Sequence, residues 1–316
     1  MAVLKWDLEA LLSNLSSLLR TGNTYTLLIT AIRLFYLLSS TAIITVCWIR
    51  PLRDRFLSYG ARSQTKPASP SPTPQHDPQP SLITTLLDRL ATLTVPHNWF
   101  THFYVVSTVL AGFRYMLKPY LTRQGIVCSN FIFFHSLRRL SECLVLFKTT
   151  SSRMWVGHYA IGLAFYIVTN VAIFLEGIDW NKIPASSVSR ALPGIDIGPS
   201  RATEPLLSLI LALAMLLQFS QHQYLASLKK YTLPSQGTFA HVVAPHYTAE
   251  CFMYLSVAIL AKGSHSLVNW TMLCATIFVL VNLGVTAQGT YHWLLLKFPD
   301  QRHMITRRWK MIPPLW

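Results

Sequence analysis

The sequence predicts an all-α integral membrane protein with seven transmembrane helices. Three observations carry that expectation. Of 316 residues, 52% are apolar and only 12% charged, half the charge of an ordinary soluble domain, and the mean hydropathy is +0.37. Seven apolar runs approach the ~20 residues that cross a bilayer as a helix. The basic residues behind a net charge of +15 fall mainly in alternate loops, which is a topology signal.

The elements follow in chain order. In residues 1–23, Leu4, Leu8, Leu11, Leu12, Leu15, Leu18 and Leu19 sit among Lys5, Asp7, Glu9 and Arg20. That is an amphipathic surface helix without the cleavage pattern of a secretory signal. The first span is 24–49. Residues 50–96 form a Pro-rich, disordered cytosolic linker, because its centre, SQTKPASPSPTPQHDPQP at 63–80, has too little apolar surface to bury. Six further spans, at 99–117, 127–147, 155–176, 204–225, 247–262 and 267–293, make one membrane unit over 97–316.

Loop charges orient the bundle. The stretch with Arg50, Arg53, Arg55, Arg62 and Lys66, the Lys148/Arg153 turn, the Lys229/Lys230 loop and the tail with Lys297, Arg302, Arg307, Arg308 and Lys310 share one side. The positive-inside rule makes that side cytosolic and the N-terminus lumenal. Lys118 and Arg123 go against the trend. Asn14-Leu-Ser16 then stands as a lumenal glycosylation acceptor.

Several chemistries are excluded. The five cysteines form no CxxC pair, so neither a disulfide scaffold nor a structural metal site is expected. No HxxHH, GxGxxG, GxSxG or Walker A pattern appears, which removes di-iron, Rossmann, serine-hydrolase and P-loop readings. The basic excess comes without a nucleic-acid motif.

The informative residues are polar ones inside apolar runs. His135, Arg138, Arg139 and Glu142 fall at i, i+3, i+4 and i+7, on one helical face. An arginine at a span's centre costs roughly 2.5 to 3.5 kcal/mol on insertion scales. Such a face must meet either an interhelical ion-pair network or an anionic ligand. Gln218, Gln221 and His222 share a face beside Gln223 and Tyr224; His246 and Glu250 are four apart with Tyr247 and Tyr254; Gln288, Tyr291 and His292 repeat the pattern. These faces lie near the cytosolic ends of the last three spans, rimmed by Lys229 and Lys230. They describe a cytosol-facing polar pocket suited to a large anion such as a dinucleotide. His102 and Tyr104 are the proton-donating groups at the start of the second span.

The segments FTHFYVVS, FFHSLRRLSECLVLF, QHQYLASLKK, GTFAHVVAPHYTAE and YHWLLLKFPDQRHMI resemble, in order, the steroid 5α-reductase family, specifically its polyprenol reductase branch. The resemblance covers residues 97–316. It implies a seven-span endoplasmic reticulum enzyme that uses NADPH to reduce a carbon-carbon double bond conjugated to a carbonyl. The expected substrate is a long-chain polyisoprenoid, reduced at its α-isoprene unit in dolichol synthesis for protein N-glycosylation.

By that resemblance Arg139, Gln223, Lys229 and Tyr291 fall on cofactor contacts, with Arg138, His246, Glu250 and Gln288 beside them. His246 stands where relatives commonly have Asn, and Gln288 where the branch often has His. Ser136 occupies the position of a carbonyl-polarising tyrosine, leaving His102, Tyr104 or His135 as the catalytic donor. A reductase of another conjugated lipid, a steroid enone or enoyl-CoA, is the alternative within this chemistry. A membrane methyltransferase using S-adenosylmethionine, or a non-enzymatic lipid-binding protein, lies outside it.

Overall fold

The computed structural model describes residues 2–20, 23–57, 81–146, 151–183, 203–262 and 266–316. All seven predicted spans are helical. In chain order the elements are α1 (Ala2–Arg20), α2 (Thr24–Trp48), α3 (Arg50–Phe56), α4 (Leu82–Thr92), β1 (Thr94–Pro96), α5 (Thr101–Met116), α6 (Arg123–Val145), β2 (Arg153–Trp155), α7 (Val156–Gly177), α8 (Thr203–Ser227), α9 (Pro245–Leu260), α10 (Trp270–Lys297) and α11 (Arg302–Ile305).

Among the described residues four helices are long and apolar enough to cross a membrane: α2, α7, α8 from Glu204 onward, and α10. The predicted count of seven is not reached by length and composition. Helices α5 and α9 have 16 residues each, about 24 Å, short of the ~30 Å hydrocarbon core. Helix α6 is long enough at 23 residues but carries Arg138, Arg139 and Glu142 in its second half.

The core forms where α5 packs on α6 and α7, α8 on α9, α9 on α10 and α10 on α2, while α6 also meets α8 and α9. Outward-facing leucines such as Leu206, Leu209, Leu213 and Leu216 are exposed, as lipid contact requires. One close approach depends on glycine. A Cβ on Gly125 would stand 2.2 Å from the Gly177 carbonyl oxygen. The start of α6 therefore lies directly on the end of α7, where Thr122 accepts from Gly125 N and donates to Gly177 O.

Helix α1 has a covered and an open side over its described second half. Leu12, Ser16 and Leu19 are buried, whereas Leu11 and Leu18 are exposed. The Asn14-Leu-Ser16 sequon thus lies inside a helix with its serine covered.

The segment expected to be a disordered linker is helical at both ends, in α3 and α4; residues 58–80, with most of the Pro-rich run, lie outside the described residues. The reason is tertiary. Arg55 Nε bonds Asp88 Oδ1 at 2.6 Å, and the Phe56 ring packs tilted against Trp155 with centroids 4.4 Å apart. Strand β1 pairs antiparallel with β2, Thr94 opposite Trp155, so the all-helical expectation misses one short two-stranded sheet. Lys148 and residues 184–202 also lie outside the described residues.

The chain ends as a clamp. Val243 N donates to Trp309 O at 2.8 Å, Trp309 N to His241 O at 2.9 Å and Ala244 N to Lys310 O at 3.1 Å. The tail thereby fixes the loop between α8 and α9.

Candidate active site

The start of α5, the end of α6, the end of α8 and the start of α9 meet at one end of the bundle, and each brings polar groups. Glu142, 1% exposed, accepts from Nη1 of both Arg138 and Arg139. His222 Nδ1 stands 2.7 Å from Glu142 Oε2 and 2.7 Å from Arg139 Nη1. A ring nitrogen donates to the carboxylate or accepts from the guanidinium, so the imidazole tautomer selects one of these bonds.

A second carboxylate is reached through Gln218. Arg138 Nη2 donates to Gln218 Oε1, while Gln218 Nε2 donates to Glu250 Oε2 at 2.5 Å and to the His246 carbonyl at 3.1 Å. His135 Nε2 lies 3.2 Å from Glu250 Oε1. Arg139 Nε donates to the Tyr104 hydroxyl at 3.2 Å, with its guanidinium 5.0 Å from the ring centre. Buried charges persist only when paired and hydrogen-bonded. Here Glu142 is met by two arginines of its own helix and by His222 of α8, and Glu250 by Gln218 of α8 and His135 of α6.

Several buried atoms have no hydrogen-bond partner among the described residues: His246 Nδ1, Tyr254 Oη, Gln221 Oε1 and Gln288 Oε1. Leaving such a group unpaired costs about 1–3 kcal/mol, so atoms of this kind fit a ligand rich in donors and acceptors. Outside them is a basic rim. Tyr231, with φ 66°, lies between Lys230 Nζ at 4.9 Å and Lys297 Nζ at 3.9 Å, and Lys310 Nζ is 5.6 Å from the Tyr291 ring. Arg308 Nη1 holds the adjoining loop through Pro234 O at 2.7 Å.

Six expected site residues, Tyr104, His135, Arg138, Arg139, His246 and Glu250, are thus brought together. Others are not. His102 is exposed, bonded through Nδ1 to the Tyr159 hydroxyl at 3.1 Å and packed on Trp99. Gln223 and Lys229 are exposed, one on α8 and one just beyond it. Gln288 Nε2 is 2.6 Å from His292 Nε2, and Tyr291 belongs to the rim.

The network's centre comprises Glu142, Gln218 and His222, which the sequence places on polar helical faces without giving them a catalytic or cofactor-binding role. The i, i+4 spacing of Gln218 and His222 was the available signal. Ser136 is engaged by Ser107 at 2.7 Å, whose oxygen accepts from Asn170 Nδ2 at 2.9 Å.

Residues 201–316, which include α8, the clamped loop, α9, α10 and the tail, match the family 3-oxo-5-alpha-steroid 4-dehydrogenase. Polyprenal reductase of Saccharomyces cerevisiae is 29% identical over 225 residues, covering 70% of this chain and 76% of that protein. Polyprenal reductase 2 of Oryza sativa subsp. japonica is 27% identical over 318 residues, covering 80% and 85%. Human polyprenal reductase is 22% identical over 251 residues, covering 66% and 76%. The last third of this helical bundle, residues 201–316, is thus similar to the steroid 5α-reductase family, and the chain as a whole is similar to proteins named polyprenal reductase.

Proposed function

We propose that this chain is a polyprenal reductase, reducing the α-isoprene double bond of a long-chain polyprenal with NADPH in the endoplasmic reticulum membrane. The saturated product belongs to the dolichol series that carries glycans for protein N-glycosylation. The relatives named polyprenal reductase support the substrate. The bundle contributes one observation above all: Tyr104 is buried and its hydroxyl oxygen accepts from Arg139 Nε. Tyr166 also hydrogen-bonds this hydroxyl, and with Tyr166 as the donor the phenolic hydrogen of Tyr104 is available to a substrate oxygen.

The residues present fit an anionic dinucleotide. Lys229, Lys230, Lys297 and Lys310 would attract its phosphates. Gln221, Gln223, His246, Gln288 and Tyr291 would offer polar atoms to the rest, with Arg138, Arg139 and Glu250 forming the charged wall behind them. NADPH, when bound, supplies the hydride that adds to the β-carbon of the conjugated aldehyde.

The chain's own part is charge and position. Negative charge grows on the aldehyde oxygen as the double bond is reduced, and a donor held against that oxygen lowers the barrier. Tyr104 is that donor, with the Arg139 cation beside its ring favouring charge transfer toward it. His135, fixed by Glu250, is the alternative donor. A free alcohol has no carbonyl to take up the charge, so the aldehyde is the species reduced. Only the head of the substrate enters the polar end, while the isoprenoid tail leaves between helices into lipid. With the seven helices all crossing the bilayer, this end faces the cytosol and its NADPH.

Purified protein given NADPH with polyprenal, polyprenol or a steroid enone provides the test, with saturated products measured by mass spectrometry. Turnover of polyprenal alone is expected. Turnover of the steroid alone would sink the assignment, and equal turnover of the alcohol would sink conjugate reduction.

A further inference from the structure

At the opposite end of α5 and α6 lies a second site with different chemistry. A cavity of about 180 Å³ opens between these helices, lined by Arg114, Lys118, Ser129, Asn130, Tyr115 and Phe134 among others. Along α5, Arg114 stands ten residues beyond Tyr104, about 15 Å at the helical rise. The cavity is therefore separate from the Glu142 network.

Its polar groups are incompletely satisfied. Arg114 is 3% exposed and donates through Nη1 to Asn170 O at 2.8 Å and through Nη2 to Asn170 Oδ1 at 2.7 Å. Its Nε is buried without a partner, as is Ser129 Oγ, on a residue 6% exposed. No lining residue is acidic. Arg123, the other cation that breaks the loop-charge trend, is neutralised by Glu204 at 2.9 Å. Arg114 and Lys118 have no ion-pair partner among the described residues. A buried guanidinium without a counter-charge is costly, and an anion in the cavity removes that cost.

The walls say which kind of anion. Phe134 is 54% exposed and Tyr115 44%, so the cavity opens onto the outer, apolar surface of the bundle. A ligand seated there presents a charged head to Arg114, Lys118 and Ser129 and an apolar chain to the two rings. We propose that this cavity binds the phosphate group of an anionic membrane lipid, in the leaflet opposite the candidate active site. This gives Lys118, anomalous as a topology signal, a reason to stand where it does.

The test uses the full chain in neutral detergent micelles, with phosphatidylglycerol, phosphatidylcholine or inorganic phosphate added separately. Phosphatidylglycerol should raise the unfolding midpoint by about 3 °C, and the other two should leave it unchanged. Arg114 also ties α5 to α7, so its removal tests the fold rather than the site. Lys118→Gln, at the exposed rim, should weaken phosphatidylglycerol binding about fivefold in a native mass spectrometry titration, with polyprenal turnover unchanged. Ser129→Val should weaken it as well. Equal shifts with phosphatidylcholine would overturn the site, as would unaltered binding in Lys118→Gln. A shift with inorganic phosphate matching that with phosphatidylglycerol would overturn the lipid assignment in favour of a free-anion site.

Discussion

His222 Nδ1 lies 2.7 Å from Glu142 Oε2, so residues 80 positions apart on α8 and α6 share one buried contact. Because Arg138 and Arg139 bond the same carboxylate, Glu142 fixes the positions of three polar side chains at once. Through Arg139 and its bond to Tyr104 that hold extends to α5.

Glu142→Gln leaves both guanidiniums facing a neutral amide. Breaking a buried pair by removing one partner costs about 3–5 kcal/mol. A drop of several degrees in unfolding midpoint is expected in detergent. An unchanged midpoint would mean that the arginines find other counter-charges.

Arg139→Lys keeps the charge but loses the planar fork that reaches Glu142 and Tyr104 together. The protein should fold, and NADPH binding followed by nucleotide fluorescence should weaken about tenfold, the loss of roughly one charge-assisted hydrogen bond. Normal NADPH binding here, with damage confined to Glu142→Gln, would make Arg139 a structural residue only.

The donor assignment separates two residues of α5 that lie two positions apart. Tyr104→Phe should lower kcat by roughly 10² to 10⁴, the usual contribution of a positioned acid. His102→Ala should stay within about twofold, as expected of a surface change, because His102 is exposed and bonded to Tyr159. The reverse pattern would transfer the role to His102.

Gly125→Ala tests the packing of α6 on α7. With a new Cβ 2.2 Å from Gly177 O, the helices must separate, at a cost of about 1–3 kcal/mol. Thermal unfolding measures it directly, and a neutral effect would show that the two helix ends move apart freely.

Orientation is checked by inserting glycosylation acceptors. Sites placed in 184–200 should be modified, whereas sites in the 229–246 loop should not. The natural Asn14 sequon should remain unmodified, since Ser16 is 0% exposed within α1. Modification of the 229–246 loop would turn the basic rim away from the cytosol.

The sequence by itself determined where the apolar helices α2 and α5 to α10 lie and which faces of them are polar, though not that α3 and α4 form at the ends of the apparent linker. Apolar runs interrupted at i, i+3 and i+4 place His135, Arg138, Arg139 and Glu142 on one side of α6 with no further information, because helical geometry alone decides it. It also marked Lys118 and Arg123 as out of place. What the sequence did not contain is partner choice across helices, which depends on how each helix is rotated and how deeply its neighbour packs. Only the tertiary structure placed Gln218 between Arg138 and Glu250, and His222 rather than Gln223 against Glu142. It likewise turned His102 outward to Tyr159, and it folded the ends of the apparent linker by pairing Arg55 with Asp88. Local periodicity fixes a face. A buried charge is settled by whichever counter-group tertiary packing brings within about 3 Å of it.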